Sequence, residues 1–266
     1  MRLLTPLEPR PTAPLARANP LAKIAAALVV MVTLFASLDA VTASVVLAVL
    51  LALVPVSGLA PRALLGRSWL IVVTAVGIGV VNVLFAPAHS GAAIDVGPLR
   101  IGSDTAIDGA GLSLRLLAIG LAGLLATATS QPIDIADALV QQLRVSPRVA
   151  IGSLAAIRML PALAHDWQTA SLARRARGVE IGWSPVAVVR FAGGILLALL
   201  VSSVRRGTRL SRAMEARGLG SGGCRTVARV QRMRSGDWAW IAGSLLLATA
   251  AIGLSLALGT WRPLIG

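Results

Sequence analysis

The chain has no tyrosine, three phenylalanines, one cysteine and, among its basic residues, a single lysine, Lys23. Each scarcity removes a class of function. One thiol, Cys224, excludes an internal disulfide and any multi-thiolate metal site. With so few aromatic rings there is no stacking platform for single-stranded nucleic acid. The two histidines, His89 and His165, are far apart and without a nearby ligand pattern, so neither a metal site nor a cofactor site is expected. A phosphate-binding loop needs Gly-Lys-Ser/Thr, and the lone lysine lies in Ala22-Lys23-Ile24. Any ATP chemistry must therefore come from another chain, and the protein is read as a non-enzyme.

Charge is scarce too, at 14% of 266 residues, while 56% are hydrophobic and the mean hydropathy is +0.80. A soluble domain of this length needs a larger charged shell. Five apolar runs of 17 to 21 residues could each cross a bilayer: Leu21–Leu38, Val41–Leu59, Trp69–Phe85, Leu112–Thr129 and Trp238–Leu258. Two further apolar stretches, Val149–Ala164 and Pro185–Val204, carry Arg158 with Pro161 and Arg190 respectively. The N-terminal twenty residues are polar and rich in Pro and Arg, and lack the apolar core and small-residue cleavage site of a signal peptide.

The net charge of +14 would suit nucleic acid in a soluble protein. In a membrane protein, basic residues collect on the cytoplasmic side and beside anionic lipid, so no nucleic-acid partner is expected. Arg2, Arg10, Arg17 and Lys23 place the N-terminus inside, with Asp39 at the outer tip of the first hairpin and Arg62 and Arg67 back inside. The segment from Ala86 to Gly111 carries Asp95, Asp104 and Asp108 against Arg100, which suits the outer face. Sixteen arginines then fall between Gln131 and Asp237. If one or both doubtful stretches spanned, a large arginine cluster would lie outside; if neither spans, all stay inside.

The expected fold class is thus an all-α integral membrane protein with about five transmembrane helices plus a cytoplasmic-side coupling domain of long amphipathic helices. The expected parts are 1–130, a lead-in and four spans; 131–237, the coupling helices; and 238–266, the last span. Within the spans, Ala118, Ala122 and Ala126 form a small face for close helix packing, Asn82 is the clearest polar residue, and Arg115 is placed to snorkel at the outer end. No span carries the buried ionisable chain of a proton-coupled transporter.

Two similar tripeptides end long helical patterns in the insert. Ala176-Arg177-Gly178 closes Ser171-Leu172-Ala173-Arg174-Arg175, before the turn-prone Gly182 to Pro185. Ala216-Arg217-Gly218 closes Ser211-Arg212-Ala213-Met214-Glu215, before Gly220, Gly222 and Gly223. Glycine suits the left-handed residue past a helix end, and arginine in the last turn complements the helix dipole and projects beyond it. Arg205, Arg209 and Arg212 share one face near the second motif, facing lipid headgroups or an acidic protein surface. Glu180 and Glu215 are expected to pair locally with arginines.

Other segments flank these motifs: Asn19-Pro20-Leu21-Ala22-Lys23 before the first span, Thr127 through Pro132 and Asp134 to Asp137 and Leu139 after the fourth, then Pro147-Arg148 and Arg158-Met159-Leu160-Pro161. This order, from Asn19 to about Gly220, resembles the T component of energy-coupling factor (ECF) transporters, the EcfT/CbiQ/BioN family. The resemblance implies a multi-pass protein of the cytoplasmic (plasma) membrane joining a membrane-embedded substrate-binding S component to two cytoplasmic EcfA-type ABC ATPase subunits. It implies uptake of a vitamin or transition metal. Ala176, Arg177, Gly178, Ala216, Arg217 and Gly218 would be the ATPase-coupling residues, with supporting basic contacts from Arg174, Arg205, Arg209 and Arg212. The apolar faces of Val149–Ala164 and Pro185–Val204 would hold the S component.

Two rival readings fit less well. A conventional ABC importer permease has one coupling loop opening Glu-Ala-Ala, which Glu215-Ala216-Arg217-Gly218 echoes, but no Ile-x-Leu-Pro follows. An intramembrane hydrolase needs facing catalytic groups within the spans, and no span holds a glutamate.

Overall fold

The computed structural model describes residues 13–85, 93–96, 99–178, 184–218 and 230–261. The expectations attached to Arg2, Arg10, Arg62's side chain, His89, Glu180, Gly182, Gly220 to Gly223 and Cys224 lie outside what is described. The chain divides into two compact units, Met1–Ala138 with Gln231–Gly266, and Leu139–Val230.

The first unit opens with a single turn, α1 (Pro14–Arg17), and then α2 (Pro20–Ala36). Asn19 caps α2, its side-chain oxygen accepting from Leu21 N–H at 3.0 Å, and Pro20 occupies the first helical position, where no donor is needed. Asp39 caps α3 (Ala40–Leu53) by accepting from Thr42 N–H at 2.7 Å. Then follow α4 (Pro61–Phe85), a short antiparallel hairpin of β1 (Ala93–Val96) and β2 (Leu99–Gly102), α5 (Ser103–Ala128), α6 (Pro132–Gln142) and, after the insert, α9 (Ser235–Ala257). The hairpin is a small addition to an otherwise helical expectation.

α5 is the hub, packing on α2, α3 and α4, while α9 closes against α2 and α3. Its small face is used as the alanine spacing predicts: Ala118, Ala122 and Ala126 are buried, and Leu34, Val46, Leu50, Leu121, Leu125 and Ala251 fill the space around them. On the other flank of α5, Gly109 meets Gly79 of α4 so closely that each glycine's missing Cβ would strike the other's carbonyl oxygen, at 2.8 Å and 2.7 Å.

Among the described residues five helices are long and apolar enough to cross a membrane: Leu64–Phe85, Thr105–Ala128, Pro147–Ala176, Val186–Ala216 and Ser235–Ala257. Three coincide with expected spans. α2 and α3, with 17 and 14 residues, are shorter than the runs Leu21–Leu38 and Val41–Leu59 suggested. At 1.5 Å per residue they reach about 25 and 21 Å, short of a ~30 Å core. The reason is local: Ser37 and Asp39 stop one and cap the other, and Pro55 ends α3 in a 3₁₀ turn, Pro55–Ser57, although the apolar run continues. The remaining two candidates are helices of the insert, which length and composition admit as spans and which charge assigned to the inner face.

In the second unit, α7 (Pro147–Ala176) runs through Pro161 without a break, and α8 (Pro185–Ala216) returns antiparallel to it. The pair is fastened at two levels. Arg174 Nη1 donates to Phe191 O at 2.9 Å, its guanidinium lying 5.7 Å over the Phe191 ring, and Gly194 leaves room for it. Arg206 pairs with Asp166 at 2.6 Å. Phe191 and Ile195 are buried, whereas Val189, Leu196, Leu197, Leu200, Val201 and Val204 of α8 are exposed.

Candidate functional site

The two Ala-Arg-Gly tripeptides end α7 and α8 with the same backbone geometry. Arg177 and Arg217 both have φ −90° and ψ 11°, and Gly178 and Gly218 follow at φ 77° and 81°. In each, the arginine N–H closes a tight turn, Arg177 to Arg174 O and Arg217 to Met214 O, both at 3.1 Å. The glycine N–H then bonds Arg175 O or Glu215 O at 2.9 Å. Positive φ is the conformation an L side chain resists, so glycine is the residue that allows each helix to stop just past its arginine. All six residues are exposed, and each guanidinium leaves the negative end of a helix dipole, a favourable place for a cation. Each end can thus present one positive, five-donor group beyond a small-residue helix tip.

Gly178→Val is expected to cost roughly 1–2 kcal/mol at that turn. The cost should appear as faster amide exchange over residues 174–178, with the first half of α7 unchanged.

The supporting arginines separate into two kinds. Arg205, Arg209 and Arg212 are exposed along one face of α8. Arg174 is instead turned into the helix pair, where its donor is spent on Phe191 O. Glu215 accepts from Ser211 Oγ at 3.2 Å. His165 is exposed on α7.

Two buried polar clusters in the first unit escaped the sequence reading. At one end of the bundle Arg115, expected to snorkel, is turned inward: its Nη2 donates to Ser37 O, and the charge of Asp39 acts on it. The carbonyl end of α2 and the Asp39 carboxylate offer more than the bilayer surface does. Burial alone would raise the Asp39 carboxyl, but hydrogen bonds from Ser37, the Thr42 backbone and side chain, and Ser255 together hold it below the ordinary aspartate value.

At the other end, Asn19, Lys23, Thr129 and Asp237 are all buried. Lys23 Nζ donates to Thr129 O at 2.8 Å, in the field of Asp134 and Asp237. Asp237 accepts from Asn19 N–H through Oδ1 and from Arg234 N–H through Oδ2, both at 2.7 Å. This cluster joins the Asn19-to-Lys23 segment to the Thr127-to-Asp134 segment. A lysine two residues inside an apolar run was the one signal that could have pointed to it.

A helical bundle interrupted by a paired-helix insert, with two matching arginine-tipped ends and five helices long and apolar enough to cross a bilayer among the described residues, defines a multi-pass membrane protein. The chain belongs to the CbiQ cobalt transport protein family, whose model matches residues 11–223. It is 35% identical over 150 residues to the energy-coupling factor transporter transmembrane protein EcfT of Lacticaseibacillus paracasei, covering 53% of this chain and 56% of that one. It is 33% identical over 179 residues to EcfT 1 of Listeria monocytogenes, covering 64% and 65%. With EcfT of Heliobacterium modesticaldum it shares 30% identity over 192 residues, 68% of each chain. The match thus spans little more than half to two thirds of these relatives.

Proposed function

We propose that this chain is the transmembrane coupling subunit, the T component, of an ECF-type ABC importer for a vitamin or transition-metal micronutrient. The observation that carries the reading is the pair of exposed Ala-Arg-Gly helix ends with one backbone geometry, in a member of this family. Two cytoplasmic ATPase subunits would each take one end, with Arg177 and Arg217 as the charged contacts and Ala176, Gly178, Ala216 and Gly218 allowing close approach. Arg205, Arg209 and Arg212 add positive charge beside the second end; Arg174 contributes by bracing α7 on α8. The exposed apolar faces of α7 and α8 hold the S component. The N-terminus and the insert lie on the cytoplasmic side, where the arginines belong. Hydrolysis takes place in the partner ATPases, and this subunit moves with it.

The test is recovery of the native ATPases on the tagged chain in detergent. An arginine at the centre of an interface is worth ~2 kcal/mol or more, roughly 30-fold in affinity. Arg177→Glu and Arg217→Glu should each weaken recovery by about that factor, and the double change should abolish it. Undiminished recovery on the double variant would sink the reading.

A further inference from the structure

The chain leaves the first unit through α6 and returns at Gln231, so two covalent connections join the insert to the bundle. One starts at Thr129, where α5 has ended, and continues through Pro132 into α6. The other runs from Gln231 into the first turn of α9, which begins at Ser235 and carries Asp237. Loops of this kind ordinarily absorb motion, because nothing fixes their ends. Here both ends are fixed, and to the same helix. Lys23 of α2 holds Thr129 O at 2.8 Å. The Asn19 N–H, at the cap of α2, holds Asp237, whose second oxygen holds the Arg234 N–H. Gln231 Nε2 and Asp134 Oδ1, one from each connection, are 3.5 Å apart. The Lys23 ammonium lies in the field of a carboxylate from each connection, Asp134 and Asp237.

We infer that Asn19, Lys23 and Asp237 form a clamp that pins both connections of the insert to the start of α2, making Lys23 a positioning residue for coupling. Motion of the insert is then delivered to α2 as a rigid displacement. Replacing the lysine uncouples the connection at Thr129, and altering Asp237 uncouples the other. The inference rests on the coupling role proposed above, and its test separates the two.

The experiment uses the full chain in complex with its native ATPases in nanodiscs. Hydrogen exchange is compared without nucleotide and after trapping with ATP and vanadate. In wild type, trapping should slow exchange at the helix ends, residues 174–178 and 214–218, and change exchange at least threefold in both 129–134 and 231–237. Lys23→Met should keep the helix-end response and the core protection of α5 while losing the response at 129–134. Asp237→Asn should lose it at 231–237 and keep it at 129–134, and Lys23→Arg should restore the wild-type pattern. A purely structural lysine would instead raise exchange in the nucleotide-free state and leave the ATP-dependent differences in place, which overturns the clamp. So does a wild-type complex whose helix ends respond while neither connection does, or a Lys23→Met chain with the full response. A complex whose helix ends never respond overturns the coupling role itself.

Discussion

Asp39→Ala should lower the melting midpoint of the detergent-solubilised protein by on the order of 10 °C, far more than loss of a helix cap would. Removing the cap of α3 costs about 1 kcal/mol. The larger part comes from Arg115, which is buried, has no partner for its Nε among the described residues, and would lose the carboxylate whose charge acts on it. Deleting one member of a buried ion pair costs roughly 3–5 kcal/mol, the ceiling for a carboxylate that acts on Arg115 through its field. Adding Arg115→Met to Asp39→Ala should therefore recover much of the loss, since it removes the stranded charge. If Asp39→Ala costs no more than about 1 kcal/mol, Asp39 is only a cap. The same group sets an acid limit. Its carboxyl is held below the ordinary value in the folded protein, so its contribution is complete above the unfolded aspartate value of about 3.9 and fades as pH falls through the lower folded one. Asp39→Asn should flatten that acid slope.

Gly79→Leu should force α4 away from α5 and destabilise the bundle by about 3 kcal/mol, the upper end of what overpacking costs. A Cβ at Gly79 would lie 2.7 Å from Gly109 O and clash with Ser113 Oγ. A rotamer change can clear the serine but not the carbonyl, which belongs to the backbone of α5. Gly109→Ala meets the same obstacle from the other side, Gly79 O at 2.8 Å, together with the Val83 side chain. Gly77, two residues away and on another face of α4, has nothing among the described residues within 4 Å of its missing Cβ. Gly77→Ala should then be neutral or stabilising by up to ~1 kcal/mol, through helix propensity alone. Tryptophan fluorescence melts of the three variants distinguish a crowded contact from a general intolerance of substitution. Equal losses at Gly77 and Gly79 would argue against the contact.

Hydrophobic runs marked α4 and α9 well because their length alone decides the matter, and the alanine spacing on α5 correctly named a buried face. The same runs overstated α3, since Val54 and Leu59 continue the apolar character while Pro55 ends the helix. The two tripeptides were legible as helix ends for a purely local reason, the demand for glycine at positive φ. What sequence did not reveal were meetings across long separations: Ser37 with Arg115, 78 positions apart, Lys23 with Thr129, 106 apart, and Asn19 with Asp237, 218 apart. A charge in an apolar run says that a partner is needed without saying where it comes from. Arg174 shows the same limit at closer range, since only the packing of Gly194 shows which way its guanidinium turns.

The likeness of the two helix ends has a bearing on symmetry. A plug that is offered twice in one form carries no information about which socket it enters. The α7 and α8 tips share their dihedrals and their tripeptide, so they would fit a pair of identical ATPases as readily as two different ones. Handedness must then be written in the neighbouring residues, where Arg174-Arg175 precedes one tip and Met214-Glu215 the other. The first approach presents one exposed base, Arg175, since Arg174 is turned into the helix pair, and the second carries an acid. Orientation on an unequal pair of ATPases would be chosen by that difference, while the grip itself stays indifferent to side.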